Sequence, residues 1–584
     1  MTSSDFLLSR NWDLPAAGWV ALFAACAGVA WLIPTHFLPW TAFQSDLLTA
    51  IGLGIACLGA IWLAGARMSL PASAVAVLAL ALVPIGQVAL GMTLFAGDGW
   101  LAALYLVGLA LAIVAGHEFG RRGSGSVEPL LWAFFGAGVV SSALASCQWL
   151  GVEISQLRMA PLPPGGRPFA NLAQPNQLAT LLMLGVVAAV LLHQVQRISS
   201  RLLAVFVIVL VWGAALTGSR TAWVEMAGFV LWVWALRDRA GLRLSRGGAA
   251  AIGLAFGAFV VVAPWLTELL LIADASTTHR LEAGVRPIHW AIVADAISQR
   301  PWLGYGWNQV SVAVSQVALN HPAPHEMVEH SHNLMLDLAA WNGVPIALVV
   351  IVGVAFWIKH HGWRRRDPQV ALLVAMIGVA LVHSMFEFPL EYAHFLLPIG
   401  FIAGVLDAGA PLGPRIGLPR WSVAGFAAVA ASATLWVAVE YVEIEENSRA
   451  LRFEAARIGI GAAPSAAPDV VLLTQQREFL RFARTQARRN MTDEELYTMR
   501  RVAERFPYPP VLFRYALALG LNEQPQAAAK ALGLLCKLHP PKLCEEARSN
   551  WSLMSDGSYP ELQKVTWLSP QVEPGSRGDP PTPR

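Results

Sequence analysis

Long apolar runs separated by short polar segments follow one another along most of this chain. A helix needs about 17 to 25 apolar residues to cross the core of a bilayer, and about thirteen runs approach or reach this length. They lie near 16–33, 46–65, 71–90, 99–116, 128–149, 176–195, 202–216, 220–236, 248–272, 332–358, 368–386, 393–409 and 421–441. The pattern predicts an all-α polytopic membrane protein, with one large polar loop at about 274–331.

Lysine and arginine are distributed unevenly over the loops between these runs. With the N-terminus inside, the inner loops carry most of the basic residues, whereas 34–45, 91–98 and 387–392 contain none. Because basic loops stay in the cytoplasm, the alternation sets the orientation. An odd number of spans then places the large loop and the C-terminal region outside, which in a bacterium is the periplasm.

Composition supports a membrane protein and excludes some partners. Of the 584 residues, 56% are hydrophobic and only 14% are charged, whereas about a quarter of the residues of a soluble domain are charged. The formal net charge of +3 is too small to indicate nucleic acid binding. We therefore expect membrane lipids, and no nucleic acid, among the partners.

After about residue 442 the composition changes to mixed charge. The segment 511–540 has the small and large apolar alternation of a helix-turn-helix unit similar to a tetratricopeptide repeat, although a solenoid needs about three such units. We expect a transmembrane domain over 1–441, a small periplasmic helical domain over 442–569, and a disordered tail over 570–584. Cys536 and Cys544 can form a disulfide there or remain reduced.

Four histidines and two glutamates crowd the segment from Asn320 to Gly343. HEMVEH resembles a zinc-binding H-E-x-x-H, but its second histidine, His330, comes one residue late, and residues five apart do not share a helix face. A metal site in the loop, formed by His321, His325 and His330, remains an alternative. His332 stands where the loop enters the tenth run. A histidine partly withdrawn from water there suits a neutral base near neutral pH; the alternative is a histidine that caps the helix.

Basic residues in outer loops oppose the orientation rule and are candidates for function. Arg220 lies in the tight turn LTGSRTAW, and Arg286 begins RPIHWAIVADAISQ, an amphipathic helix followed by Pro301. A guanidinium at the mouth of a helix bundle is costly unless it meets an anion, and its fork suits phosphate. These residues therefore suggest a diphosphate site beside a base, although Arg286 can instead form a surface ion pair with Glu282.

Two further polar segments offer neutral groups. RPFANLAQPNQLATLL, residues 167–182, contains Asn171 and Gln174, as binding of a sugar or an amide would need. Asn176 follows Pro175 and reads as a helix cap. FEFPLEYAH, residues 386–394, places Tyr392 in a short outer loop, where it is either a site residue or an interfacial anchor.

Together these segments resemble the bacterial O-oligosaccharyltransferases of the pilin-glycosylation ligase type, in the superfamily of O-antigen ligases and polymerases. The motifs that carry the resemblance are NLAQPNQLATLL, the Ser-Arg turn at Arg220, Arg286 and Trp290 followed by PWLGYGW, and HSHNLML from His330. The resemblance covers about 165–540. One departure is FEFPLEY, where the family pattern has a tyrosine soon after the first glutamate.

The resemblance implies transfer of a preassembled glycan from a polyprenyl diphosphate to a hydroxyl of a periplasmic protein such as pilin. His332 would be the catalytic base, Arg220 and Arg286 the diphosphate ligands, and no metal or other cofactor would be needed. Contacts with substrate or acceptor are expected from Asn171, Gln174, Asn333 and Tyr392. The alternatives are an O-antigen ligase or polymerase acting on lipopolysaccharide and, from a different class, a secondary transporter.

Overall fold

The computed structural model describes residues 14–123, 127–152, 154–272, 284–458 and 466–567. Glu282 and the predicted tail, 570–584, lie outside these ranges. Residues 274–283, at the beginning of the predicted outer loop, lie outside them as well.

Each predicted apolar run corresponds to a helix. These helices are α1 Leu14–Ala30, α2 Phe43–Leu63, α3 Ala72–Ala89, α4 Ala96–Gly120, α5 Glu128–Trp149, α6 Pro175–Gln194, α7 Ser200–Leu216, α8 Arg220–Ala240, α9 Arg246–Leu269, α12 Leu334–Ile358, α13 Pro368–His383, α14 Ala393–Gly409 and α15 Arg420–Ala455. Among the described residues, eight helices are long and apolar enough to cross a membrane. The chain is therefore a multi-pass, mostly helical membrane protein, and the count of about thirteen spans stays a prediction.

The loops predicted for one side of the membrane meet one another at one end of the helix bundle. Strand β1, Arg67–Leu70, pairs with strand β2, Ile416–Pro419, in antiparallel register. At the same end Arg197 forms an ion pair with Glu128 at 2.8 Å. The basic loops, far apart in sequence, thus share one end, as their alternation predicts.

Between α9 and α12 the chain forms α10, Arg286–Gln299, and α11, Val310–Val317. The amphipathic helix predicted from Arg286 is present, and it ends one residue before Arg300-Pro301, where proline disfavours continuation of the helix. Ile292 of α10 and Val314 of α11 lie in a buried cluster with residues of α12. The large loop is therefore a folded layer over one end of the bundle.

The PWLGYGW segment has a structural function in this layer. Helix α12 is broken at Gly343, whose φ of 78° is left-handed, a conformation that favours glycine. The backbone N–H of Tyr305 donates to the carbonyl of Ala340 at 2.7 Å, and that of Val344 donates to the carbonyl of Pro301 at 2.7 Å. The segment thereby satisfies backbone groups that the break exposes, as a break at membrane depth requires.

The last transmembrane run continues beyond its predicted end. Helix α15 has 36 residues, so the predicted boundary at residue 442 falls inside a continuous helix. The mixed-charge composition there marks the exit from the apolar region and not the end of the helix. The predicted division into domains at that residue stays a proposal.

Five shorter helices follow α15. They are α16 Thr474–Arg484, α17 Asp493–Arg505, α18 Pro509–Leu521, α19 Pro525–Leu538 and α20 Pro541–Asp556. Helices α18 and α19 form the predicted helix-turn-helix pair, while the tetratricopeptide assignment stays a prediction. Cys536 and Cys544 are joined in a disulfide, which resolves the alternatives left by the sequence.

The C-terminal helices pack on the folded outer loop. Leu496, Val502 and Leu535 share one buried apolar cluster with Ile292 and Val314. In addition, the buried guanidinium of Arg505 forms an ion pair with Asp98 at the start of α4, at 3.0 Å. The C-terminal region is thus anchored to the bundle at the same end as the predicted site.

Candidate active site

A single buried carboxylate, that of Glu387 in the loop between α13 and α14, gathers four side chains. One oxygen pairs with the guanidinium of Arg286 and accepts a hydrogen bond from Asn176 at 2.8 Å. The other lies 2.8 Å from Nδ1 of His332 and 3.3 Å from the amide nitrogen of Gln174. Four segments therefore converge at this carboxylate. They are the first turns of α6 and α10 and the residues just before α6 and α12.

His332 reaches this carboxylate because of the backbone around it. Its φ is 57°, an uncommon value for a residue other than glycine and one that is often found at functional sites. The carbonyl of the preceding Ser331 accepts a hydrogen bond from the indole of Trp290 at 3.0 Å. The motif that contains Arg286 and Trp290 thus fixes the position of the histidine from a separate helix.

Asn333, and not His332, caps α12. Its side-chain oxygen accepts hydrogen bonds from the backbone N–H groups of Met335 at 3.0 Å and Leu336 at 3.2 Å. This geometry removes the capping alternative for His332. Asn333 therefore has a structural role as the N-cap of α12. Its contact with substrate stays a prediction.

The charge on Glu387 is set by opposing effects. Burial disfavours the ionised carboxyl, but the hydrogen bond from His332 and the positive charge of Arg286 outweigh it, so the pKa of Glu387 lies below its usual value. The carboxylate is therefore ionised at neutral pH. It can hold a proton on Nδ1 of His332, so that Nε2 carries the lone pair of the neutral ring.

Arg220 and Arg286 line a common cavity of about 220 Å³, together with Trp290. Arg220 is the first residue of α8, and the hydroxyl of the preceding Ser219 donates to the side-chain oxygen of Asn176 at 2.7 Å. The structure thus brings the two predicted outer arginines together. We call this space the arginine cavity.

A second cavity, of about 230 Å³, is lined by Asn171, Gln174, Gln177, Tyr392 and His394 among others. The side chain of Gln177 hydrogen-bonds to Tyr392, whose partial burial raises the pKa of its hydroxyl well above the usual value, so the phenol remains protonated. We call this space the amide cavity. It brings three of the predicted neutral site residues together.

Asn171 differs from its neighbours because its amide is occupied by backbone groups. It donates to the carbonyls of Leu32 at 2.8 Å and Arg158 at 2.9 Å, and it accepts from the N–H of Ala160 at 2.9 Å. This arrangement holds the 158–171 segment against the residues that follow α1. Its geometry favours a structural role over contact with substrate.

The remaining histidines of the 320–343 segment serve to attach it. His321 lies 2.8 Å from the carboxylate of Asp295, the ring of His325 lies 3.1 Å from the carbonyl of His539, and His330 stacks on Phe388 with ring centroids 4.6 Å apart. In the described ranges, no group of three or more His, Cys, Asp or Glu residues is arranged to hold a metal ion.

Glu387 and Asn176 are the residues that sequence reasoning missed. The interpretation of Asn176 as a helix cap is wrong, because its side chain bonds to Glu387 and Ser219. The sequence signal that would have identified Glu387 is an acidic residue in a short loop that lacks lysine and arginine. An acid isolated in this way needs a cation from another segment.

Comparisons with known proteins match the segments that build this site. Residues 168–193, which contain Gln174, match the family described as "Protein glycosylation ligase". Residues 204–351, with both arginines and His332, match "O-Antigen ligase". Residues 371–553, with Glu387, match "Virulence factor membrane-bound polymerase, C-terminal".

Two curated relatives come from Acinetobacter baylyi. A "General O-oligosaccharyltransferase" is 27% identical over 533 residues, which cover 89% of this chain and 92% of the relative. A "ComP-specific O-oligosaccharyltransferase" is 27% identical over 328 residues, which cover 55% of this chain and 59% of the relative. The chain is therefore similar to protein glycosylation ligases and O-antigen ligases, and these matches together indicate an enzyme of the glycosyltransferase type.

Proposed function

We propose that this protein transfers a preassembled glycan from a polyprenyl diphosphate carrier to a serine or threonine hydroxyl of a periplasmic acceptor protein such as pilin. The observation that carries the proposal is the contact of His332 and Arg286 with the two oxygens of one buried carboxylate, beside the arginine cavity. The names of the two relatives, both O-oligosaccharyltransferases, support a protein as acceptor.

Arg220 and Arg286 hold the diphosphate. Their cavity lies at the end of the bundle where the loops without lysine or arginine converge, so a carrier can keep its chain in the bilayer while its diphosphate meets the two cations. Guanidinium groups stabilise the negative charge that grows on the leaving oxygen as the bond to the sugar breaks. Binding and departure of the diphosphate thus use the same two residues.

His332 acts as the base. Glu387 accepts the hydrogen bond from Nδ1, and Nε2 takes the proton of the attacking hydroxyl. The hydroxyl oxygen forms a bond to the anomeric carbon while the bond from that carbon to the diphosphate oxygen breaks. The products are the O-glycosylated acceptor and the free polyprenyl diphosphate, and the anomeric configuration inverts in one displacement.

Gln174 and Tyr392 contact the glycan or the acceptor from the amide cavity. Their groups are neutral donors and acceptors, which suit hydroxyl and amide partners. In this proposal Asn171 and Asn333 support the same surface through the backbone segments that they hold. No metal or other cofactor takes part.

The reaction takes place at the periplasmic face of the bacterial inner membrane. Two observations support this placement: the basic loops gather at the end of the bundle away from His332, as cytoplasmic loops would, and the C-terminal helices contain a disulfide, which suits an oxidising compartment. The region after α15 then forms a periplasmic domain that packs on the active-site loop.

An O-antigen ligase or polymerase is the second candidate, favoured by the match of residues 204–351 to that ligase family. The test is co-expression with a lipid-linked glycan and a pilin, followed by measurement of the intact mass of the pilin. We expect a mass increase equal to one glycan. An unmodified pilin accompanied by extended lipopolysaccharide would contradict the proposal and favour the second candidate.

A further inference from the structure

The amide cavity contains a second histidine held by a carboxylate, and the mechanism above does not use it. His394, in the first turn of α14, is buried, and its Nδ1 lies 2.9 Å from a carboxylate oxygen of Asp46. Asp46 is itself held by the hydroxyl of Tyr105 at 2.8 Å and the indole of Trp40 at 3.3 Å. The carboxylate keeps the proton on Nδ1, so Nε2 is a hydrogen-bond acceptor.

That acceptor has no partner within the described part of the protein. Nε2 of His394 is fully buried and makes no hydrogen bond there. Buried polar atoms are rarely left unpaired, and each exception calls for an explanation. His394 lines the amide cavity, although its Nε2 has no accessible surface there. A ligand in that cavity can therefore donate to Nε2 after a small displacement of the side chains that cover the atom.

The chemistry of the cavity selects a neutral ligand. Its described lining contains no lysine, arginine, aspartate or glutamate, and it includes Thr41, Gln177 and Tyr392. Such a lining offers donors and acceptors without net charge, which match the hydroxyl and amide groups of a sugar. A diphosphate would find no counter-charge in it.

The cavity also begins next to the proposed reacting groups. Gln174 lines it and reaches the same Glu387 oxygen that holds His332, at 3.3 Å. The other Glu387 oxygen pairs with Arg286 at the arginine cavity. A sugar attached to a diphosphate in the arginine cavity would therefore lie toward the amide cavity, with its anomeric carbon between them.

We infer that the amide cavity binds the first sugar of the lipid-linked glycan, and that Nε2 of His394 accepts a hydrogen bond from a hydroxyl or an amide N–H of that sugar. His394 is then a specificity-determining residue and Asp46 is its positioning residue. The inference rests on the proposed glycosyl transfer and adds the recognition of its donor.

The test uses the full-length protein with synthetic polyprenyl diphosphates that carry one sugar, either N-acetylglucosamine or analogues that each lack one hydroxyl or the acetamido group. For the wild type, kcat/KM should be about tenfold lower with one of the analogues than with the complete sugar, as expected for the loss of one hydrogen bond. With the complete sugar, kcat/KM of His394→Ala should be about tenfold below that of the wild type. With that one analogue, the variant and the wild type should have the same kcat/KM.

His361→Ala is the matched control, because His361 is equally buried and pairs with Asp407 at 3.0 Å, at the opposite end of the bundle. It should lower kcat/KM equally for all donors or leave it unchanged. If His394→Ala fails to fold, Asp46→Asn takes its place, with the same selective loss expected.

The outcomes separate the two proposals. A loss that is equal for all donors, or no loss, in the His394 and Asp46 variants would overturn the assignment of the sugar site while leaving glycosyl transfer intact. Absence of transfer from every lipid diphosphate by a folded wild type, with acceptor present, would instead contradict the proposed function.

Discussion

Glu387 organises the site at the scale of single residues. Its partners are 55 residues away at His332 and 213 residues away at Gln174. A buried carboxylate with two cationic or potentially cationic neighbours is stable only while all of them are present, because each charge compensates the others. Loss of its charge should therefore affect both His332, the proposed base, and Arg286, a proposed diphosphate ligand.

Glu387→Gln tests this dependence. We expect at least a tenfold loss of transfer rate and a destabilisation of about 3 kcal/mol, since Arg286 is left without its counter-charge. Transfer in detergent and thermal unfolding measure the two effects. Glu391→Gln, in the same loop but without a contact to His332, is the control, and equal losses in both variants would contradict the special role of Glu387.

Sequence reasoning found the residues whose position is unusual for the membrane orientation. Arg220 and Arg286 stand out because a basic residue in an outer loop opposes the common pattern. His332 stands out because it lies where a polar loop enters an apolar run. Glu387 and Asn176 do not stand out, because their roles depend on partners brought together by folding. A carboxylate becomes informative only when the cation facing it is known.

At the scale of elements, the break in α12 requires a residue without a side chain at position 343. A Cβ at Gly343 would clash with the carbonyl of Trp302, and the φ of 78° disfavours any other residue. Gly343→Ala should destabilise the protein by at least about 2 kcal/mol. The matched control is Gly353→Ala in the same helix, where a Cβ meets open space; equal thermal stability of the two variants would show that the break is not required.

The loop that carries His332 is held by the C-terminal helices. The ammonium of Lys537 donates to the carbonyl of His321 at 2.6 Å, the N–H of His325 donates to the carbonyl of Lys537 at 3.1 Å, and the hydroxyl of Tyr508 donates to Glu329 at 2.6 Å. The disulfide between Cys536 and Cys544 closes the turn that contains Lys537. The C-terminal region therefore contacts the loop that carries His332, the proposed base.

Replacement of Cys536 and Cys544 together by serine should loosen this attachment. We expect faster hydrogen exchange over 321–333 and a several-fold lower kcat with an unchanged KM for the lipid donor, because Arg220 and Arg286 lie on other helices. The free cysteine Cys147→Ser is the control. Unchanged exchange and kcat in the double variant would disprove the coupling.

The order and type of the helices followed from apolar run length, but not all of their ends did. Helix α15 continues through a change of composition, because a helix that leaves the membrane keeps its backbone hydrogen bonds while its surface becomes polar. The break at Gly343 was also not evident, since its cause is the PWLGYGW segment, which lies beside it only in the folded chain.

At the scale of the whole molecule, α10, α11 and the C-terminal helices form one layer over an end of the bundle, which we call the outer layer. Two buried histidines should make the stability of this layer sensitive to acid. Burial lowers the pKa of His289 in α10 and of His539 after α19 from the usual 6.5. Both are therefore protonated less readily in the folded state, so the unfolded or opened state binds more protons below pH 6.5. The stability that these groups contribute is complete above that pH and declines as the pH falls below it.

Hydrogen exchange at about pH 7.5 and about pH 5.5 measures this effect. After correction for intrinsic rates, protection of 286–333 and 509–538 should fall at the lower pH, while the apolar helix α6 should change little. His539→Asn, which has no proton to gain, should reduce the difference. Protection that is independent of pH across the outer layer would contradict the prediction.

The layout of the molecule was largely predictable from charge alternation, since loops that share a side also contact one another in the fold. The packing of the C-terminal helices on the large loop was not, because it depends on a shared apolar cluster formed by segments that are about 200 residues apart. That packing turns two predicted peripheral regions into one layer over the active site.

Single-turnover transfer from a lipid-linked glycan to a pilin acceptor tests whether His332 is the base beside a diphosphate held by two arginines. His332→Ala should lower the rate at least about 100-fold with an unchanged amount of folded protein in the membrane, and His321→Ala, in the same loop, should retain most of the activity. Transfer at the wild-type rate by folded His332→Ala would show that His332 is not the base.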